Sequence, residues 1–235
     1  QKPEVLFTNA PTDGETISNN QVQIQIGGNE LIYNYRYKVI TEDEFVNSDW
    51  SQWSDNNKIE LKDLNEFLYQ VLIQGNYQNE DTSAVKSVSF TVDAVDGPAL
   101  MFNPIRKVVE QGKNTTIHLR TDEISNLAAL ELTVNYDAGM LNVISVNEGS
   151  LFSNAGQSVF AKKINQTNGS IQIAVGVYGN NNPTINNNGV FAKIVVQPTM
   201  SSGSTKLSII YSSLRNNENT SITINKVLDS ELVIE

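Results

Sequence analysis

The stretch LAALELTVNYDAGMLNVISV, from Leu127 to Val146, carries the clearest structural pattern in this chain. Apolar and polar residues alternate along its first half, which is typical of a β-strand that buries only one face. The alternation predicts a buried face formed by Leu130, Leu132, Val134 and Tyr136. It predicts an outward face formed by Ala129, Glu131, Thr133 and Asn135. A turn-forming DAG segment follows and the alternation resumes, so the stretch predicts two successive strands.

The same period of two runs through the rest of the chain. It is seen in QVQIQIGG, LIYNYRYKVI, FLYQVLIQG and SVSFTVDA before Pro98, and in TTIHLRT, SIQIAVGVYG, VFAKIVVQP and TKLSIIYSS after it. No long amphipathic helix is found, and LKDLNEF is expected to form at most one helical turn. The sequence predicts an all-β protein of two β-sandwich domains, residues 1–96 and 97–235, joined at DAVDGPA.

Composition excludes several classes of function. The net charge of -10 comes from residues 1–97, which hold 16 acids and 6 bases, whereas residues 98–235 hold 10 of each. This distribution argues against binding to nucleic acid or to anionic membranes. No apolar run approaches the roughly 20 residues of a membrane helix, so no membrane insertion is expected. The chain has no cysteine and therefore no disulfide or thiolate metal site.

The segment WSQWS, Trp50–Ser54, resembles the extracellular signature of cytokine receptors. In that family the string lies just before the last strand of a fibronectin-type domain, where its tryptophans interleave with arginines of a neighbouring strand. Here several predicted strands still follow it, so the receptor arrangement is not expected.

The order of motifs around WSQWS resembles a bacterial immunoglobulin-like module. A tyrosine-rich strand, YNYRYKV, precedes it, and KIELKDL with a strand centred on Tyr69 follows it. The resemblance implies an immunoglobulin-like or fibronectin-like sandwich over residues 1–96. We expect Arg36 to lie over the ring of Trp50 or Trp53. Two interpretations stay open for the aromatic residues: packing at the core or edge, or a carbohydrate-binding platform of Trp50, Trp53 and Tyr35.

The second half resembles a cohesin domain, the jelly-roll module with which scaffolding proteins capture dockerin modules. The resemblance rests on motifs in the family's order: VVEQGKNTTIHL, LAALELTVNYDAGMLNVISV, EGSLF, NQTNGSIQIAV, NNGVFAKIVV and KLSIIYS. It implies that a dockerin-like protein module binds an exposed sheet face. Cellulosomal cohesins of the best-known type carry Asn and Asp where this chain has Ala129 and Glu131, which puts a standard cellulosomal dockerin in doubt.

Unusually small outward residues favour such a binding face. The predicted protein-binding residues are Ala129, Glu131, Thr133, Gln172, Ala174, Gly176, Tyr178 and Ile210. Exposed sheets normally carry larger side chains, and a flat platform would let a helix approach closely. On the last of these strands we expect Leu207, Ile209 and Tyr211 to point inward. The alternative is that a loop or the first domain covers the face.

No catalytic residues are predicted. The only histidine, His118, falls on the polar phase of a strand and is expected at the surface or at an edge. No metal or other cofactor is expected in this chain, and calcium belongs more naturally to a dockerin-like partner. The sequence therefore predicts a monomeric, non-catalytic fragment of an extracellular or cell-surface scaffold protein. The alternatives are a carbohydrate-binding module and a structural spacer.

Overall fold

The computed structural model describes residues 3–29, 32–46, 49–78, 81–179 and 183–235. The chain divides into two compact units, Gln1–Val95 and Asp96–Glu235. Almost every regular element in the described part of the chain is a β-strand, and the helix there has six residues. This composition confirms the predicted all-β class.

The first unit contains seven strands. They are β1 (Val5–Asn9), β2 (Glu15–Ile17), β3 (Val22–Gly28), β4 (Asn34–Thr41), β5 (Lys58–Leu61), β6 (Leu68–Asn76) and β7 (Lys86–Val92). One sheet has the order β1-β3-β5, and the other has the order β2-β7-β6-β4. Both sheets supply residues to one apolar core, including Ile24 and Ile59 from the first and Val71 and Phe90 from the second. The unit is therefore a β-sandwich. Its assignment to the immunoglobulin-like family stays a prediction.

The segment LKDLNEF, for which at most one helical turn was expected, forms none. Asp63 has a left-handed backbone with φ 54°, which interrupts a right-handed helix. Beyond it, Asn65 and Tyr69 form a buried corner: the Asn65 N–H donates to the Tyr69 hydroxyl at 3.0 Å, and that hydroxyl donates to the Asn65 carbonyl at 3.0 Å. The Asn65 amide also donates to Asp43 at 2.6 Å. Burial, with the nearby Asp43 charge, raises the pKa of Tyr69 well above its usual range.

The second unit contains twelve strands and one short helix. They are β8 (Ala99–Asn103), β9 (Arg106–Val109), β10 (Thr115–Asp122), β11 (Ala129–Tyr136), β12 (Leu141–Glu148), α1 (Ser150–Ala155), β13 (Gln157–Asn165), β14 (Ser170–Tyr178), β15 (Gly189–Pro198), β16 (Gly203–Arg215), β17 (Ser221–Ile222), β18 (Lys226–Leu228) and β19 (Ser230–Ile234). A five-stranded sheet has the order β12-β15-β10-β8-β18. A seven-stranded sheet has the order β13-β14-β11-β16-β19-β9, with β17 paired to β16. The two sheets enclose one apolar core in the predicted jelly-roll sandwich.

Residues 127–146 supply strands to both sheets. β11 lies inside the seven-stranded sheet, and β12 is an edge strand of the five-stranded one. The predicted inward residues of β11 are all buried, namely Leu130, Leu132, Val134 and Tyr136. The alternation in the sequence therefore gave the correct buried face, because one side of β11 packs on the core and the other does not.

The expected position of His118 was wrong. This residue is only 4% exposed. It lies on β10, the middle strand of its sheet, and is paired with Asn103 of β8 on one side and with Lys193 of β15 on the other. The polar phase of a strand is typical of a surface position, but both phases of β10 are buried, so this strand is covered on both faces.

Candidate functional site

The predicted binding residues lie together on one side of the seven-stranded sheet. Ala129 of β11 pairs with Gly176 of β14, and Glu131 pairs with Ala174. Thr133 pairs with Gln172 in the same register. Because directly paired residues of antiparallel strands point to the same side of a sheet, these six residues share a face. Tyr178 follows at the end of β14, and both Tyr178 and Ala174 are exposed.

A β-bulge on β16 adds two large side chains to this face. Thr133 pairs with Tyr211 and Val134 pairs with Ile209, which leaves Ile210 as an extra residue. Ile210 is 64% exposed and Tyr211 is 51% exposed. The expected inward orientation of Tyr211 was therefore wrong. The inserted residue reverses the alternation, so Leu214 is buried and Ser213 pairs with Glu131 of the face.

The neighbouring strand β13 was missed in the sequence. Its residues Val159, Ala161 and Lys163 pair with Gly176, Ala174 and Gln172 of β14. Lys162 shares the phase of Phe160 and Ile164 but is itself exposed, and its ammonium donates to the Val146 carbonyl. This charged residue interrupts the apolar phase in the sequence. The run Val159-Phe160-Ala161 was the signal that could have identified the strand.

We call the resulting surface the outer face. It is formed by the outward residues of β13, β14, β11 and β16: Val159, Ala161, Lys163, Gln172, Ala174, Gly176, Tyr178, Ala129, Glu131, Thr133, Ile210, Tyr211, Ser213 and Arg215. Four strands at a spacing of about 4.8 Å make it roughly 14 Å wide, slightly more than the diameter of an α-helix.

The outer face carries a shallow trough with small residues on its floor. One open depression of about 490 Å³ has Ala129, Ala161, Ala174 and Gly176 in its lining, with Arg215 at one end. A second depression of about 220 Å³ adjoins it, and the two share Glu131, Ala161 and Ala174. Short side chains leave room for a helix backbone to approach the sheet closely.

The charges of the outer face are few and exposed. Glu131 lies near its centre, Lys163 lies on β13, and Arg215 lies at the far end of β16. Arg215 donates one hydrogen bond from Nη1 to the Asn219 carbonyl at 3.2 Å. Within the described ranges, no ion pair joins Glu131 to either cation. The three charges are therefore open to a partner.

The aromatic residues of the first unit stack on one arginine. The guanidinium carbon of Arg36 lies 4.6 Å from the ring centroid of Trp50 and 4.5 Å from that of Trp53. The expectation that Arg36 lies over an indole ring is confirmed for both rings. Arg36 also donates to the Gln74 side chain at 3.0 and 2.6 Å. A tryptophan–arginine stack thus forms even though WSQWS lies in the middle of its domain.

The predicted carbohydrate platform is not assembled on one face. Tyr35 packs against the core of the first unit, whereas the neighbouring residue Arg36 carries the two indole rings on the opposite side of β4. One face of each indole ring therefore contacts the Arg36 guanidinium and is not open to a sugar. A cleft of about 410 Å³ lies beside the WSQWS segment and is lined by both Arg36 and Tyr35. Burial raises the pKa of Tyr35.

Other kinds of site find no support in the described ranges. No group of three or more His, Cys, Asp or Glu side chains there could hold a metal ion. No helix in those ranges has the length and apolar character needed to cross a bilayer.

These observations define a class of protein: an all-β sandwich with an open sheet face and a trough of small residues. Comparison with protein families then identifies it. The family model described as "Cohesin domain" matches residues 106–234, more than half of the chain. The chain belongs to the cohesin domain family. Cohesin domains are non-catalytic protein-binding modules.

Solved structures show the same fold at low identity. The sixth cohesin of scaffoldin B from Acetivibrio cellulolyticus, solved with a mutant Cel5 dockerin, is 20% identical with a TM-score of 0.50. The match covers 60% of this chain and 100% of that one. A type I cohesin–dockerin complex from Clostridium thermocellum gives 14% identity and a TM-score of 0.51, covering 58% and 98% of the respective chains. No curated protein matches the chain.

Proposed function

We propose that the second unit captures a dockerin-like module on the outer face, as part of a non-enzymatic scaffold. The observation that carries this proposal is the register of β14 and β11, which brings Ala129, Ala174 and Gly176 together on an exposed sheet surface. Two similar structures are described as complexes with dockerins, which supports the choice of partner.

Small residues suit this task for two physical reasons. Alanine and glycine have no side-chain rotamers to immobilise, whereas each rotamer-rich side chain ordered at an interface costs about 0.5–1.5 kcal/mol. They also permit a helix to come close, so that Ile210, Tyr211 and Val159 can pack along its sides. The trough supplies shape, and these large apolar side chains supply most of the buried area.

The centre of the outer face departs from the best-known cohesins. The resemblance places Asn and Asp where this chain has Ala129 and Glu131. An amide that could donate a hydrogen bond to the partner is therefore missing, and the remaining acid is longer by one methylene. We infer that the partner is a divergent dockerin whose helix does not depend on that amide.

The remaining parts of the proposal concern context. The first unit acts as a spacer, and the scaffold is extracellular or on the cell surface. Any calcium belongs to the dockerin-like partner, and this chain is a monomer without cofactors or catalysis. Cohesin membership supports the extracellular placement.

A binding measurement tests the proposal. Purified dockerins, among them the Cel5 dockerin, are titrated against the full chain and two variants by calorimetry. Ala174→Arg fills the floor of the trough, whereas Val108→Arg places the same side chain at an exposed position on β9, the other edge of the same sheet. We expect at least one dockerin to bind, Ala174→Arg to abolish that binding, and Val108→Arg to preserve it.

Thermal unfolding provides the folding control. Both substitutions are on exposed strand positions, so each should change stability by no more than about 0.5 kcal/mol. Binding that survives Ala174→Arg would refute the assignment of the outer face, and a panel in which no dockerin binds would refute the assignment of the partner.

A further inference from the structure

The three charges of the outer face lie along one diagonal. Lys163 pairs with Gln172, two residues along β14 from Ala174, which pairs with Glu131. Arg215 of β16 pairs with Ala129 of β11. Ala129 is two residues from Glu131 along β11, toward the end of the face opposite to Lys163. The diagonal from Lys163 to Arg215 therefore passes close to Ala174 and Glu131 at the centre of the face.

The length of this diagonal follows from the sheet register. Lys163 and Arg215 are three strand spacings apart across the sheet and four residues apart along the strands. With about 4.8 Å per strand and 3.4 Å per residue, the separation is roughly 20 Å. An α-helix rises about 1.5 Å per residue, so roughly 13 residues of helix span it.

The charges along the diagonal alternate in sign. The order is Lys163, Glu131, Arg215, with small uncharged residues between them. All three residues are exposed, and no ion pair of theirs is found in the part of the chain that the structure describes. A helix that lies in the trough must therefore face two cations near its ends and one anion nearer to Arg215.

We propose, on the basis of the proposed function, that the partner is a dockerin-like module whose binding helix carries an acidic residue near each end and one basic residue between them. Residues at i, i+7 and i+11 lie on one helix face. An acid–base–acid pattern with this spacing spans about 16 Å and places the basic residue about 10 Å from the first acid and about 6 Å from the second. Along the diagonal, Glu131 lies about 12 Å from Lys163 and about 8 Å from Arg215. The length of the charged side chains makes up the difference of about 2 Å at each pair. Lys163 and Arg215 then determine which dockerin-like modules bind.

A selection experiment tests this inference. A displayed library is built on the Cel5 dockerin scaffold with its helix surface positions randomised. It is selected in parallel on the wild-type chain and on the double variant Lys163→Glu/Arg215→Glu. We expect acidic residues to be enriched at two positions about 11 apart on the wild type, with a basic residue between them. On the double variant the two acidic positions should instead become basic.

The affinity of individual binders supplies the second readout. Binders selected on the wild type should lose about tenfold or more in Kd on the double variant, because two attractive pairs become repulsive. They should retain their affinity for the matched control Lys113→Glu/Lys226→Glu, which has the same net charge but alters exposed positions outside the outer face. Higher salt should weaken binding to the wild type.

Two failures can be told apart. Binders that are blocked by Ala174→Arg but show neither charge enrichment nor a response to the double variant would overturn this inference and leave the proposed function intact. If no selected binder is blocked by Ala174→Arg, both the inference and the assignment of the outer face are overturned.

Discussion

The substitution Gly169→Ala, which adds a single methyl group, should destabilise the strands that carry the outer face. Gly169 ends the turn between β13 and β14 with a left-handed φ of 60°, and its carbonyl accepts a hydrogen bond of 2.8 Å from the Tyr136 N–H at the end of β11. A Cβ at this position would overlap the Tyr136 carbonyl oxygen. The left-handed conformation costs an alanine about 1 kcal/mol. The overlap with the Tyr136 carbonyl, which disrupts the hydrogen bond between the two residues, costs about 2 kcal/mol more. We therefore expect Gly169→Ala to lower the free energy of unfolding by about 3 kcal/mol.

Gly112 offers a matched control in the same unit. Its φ is 73°, but no atom lies within 4 Å of where its Cβ would be. Gly112→Ala should therefore cost only the conformational strain, about 1 kcal/mol. The comparison separates the close approach at Tyr136 from the backbone preference that both glycines share.

The assay uses the uneven distribution of tryptophan. Both tryptophans, Trp50 and Trp53, are in the first unit, so indole fluorescence during urea unfolding reports that unit. Far-UV circular dichroism reports both units, and the transition without a fluorescence counterpart belongs to the second. That transition should shift about 2 kcal/mol further in Gly169→Ala than in Gly112→Ala. Equal shifts would refute the proposed contact of the turn with β11.

Three further predictions concern side chains in both units. Trp53→Ala should destabilise the first unit by roughly 1–2 kcal/mol because the Arg36 guanidinium loses one ring, and an unchanged urea midpoint of the remaining indole signal would contradict the stack. Burial raises the pKa of Tyr69 above its ordinary value of 10.0, so the contribution of Tyr69 to the free energy of unfolding should be fully present below pH 10 and should be lost as the pH rises above it. In unfolding curves measured at alkaline pH, Tyr69→Phe should reduce this loss. Tyr211→Ala should weaken dockerin binding with a stability change below about 0.5 kcal/mol, whereas Leu214→Ala should cost about 2–5 kcal/mol, and the reverse order in calorimetry would argue against the β-bulge.

The buried and exposed positions were predicted most accurately where apolar and polar residues alternate without interruption. On β11 and β14, the strict period of two residues identified both the buried and the outward positions, because these strands lie inside a sheet with one face on the core. The cross-strand pairing of Glu131 with Ala174 could not be read from the sequence, since register depends on how separate strands meet.

The misassigned residues have specific physical causes. The bulge at Ile210 inserts one residue into β16, so Tyr211 turns outward and the buried phase resumes at Leu214. The consecutive apolar residues Ile209, Ile210 and Tyr211 break the alternation at this point in the sequence. β13 was not recognised because Lys162 is a charged residue between Phe160 and Ile164 and interrupts their apolar phase. His118 is buried because β10 is covered on both of its faces, whereas β11, which is also inside a sheet, has one open face. The local sequence does not show which faces of a strand are covered.

Because the chain contains no cysteine, a single introduced thiol can report whether a dockerin binds at the outer face. Ala174→Cys and Val108→Cys each introduce a single exposed thiol, one on the floor of the trough and one on β9. The rate of reaction with a thiol reagent is measured with and without a saturating, cysteine-free dockerin. Binding at the outer face predicts that the Ala174→Cys thiol becomes protected while the Val108→Cys thiol reacts at the same rate as before. A bound dockerin that leaves the thiol at position 174 fully reactive would contradict binding at the outer face.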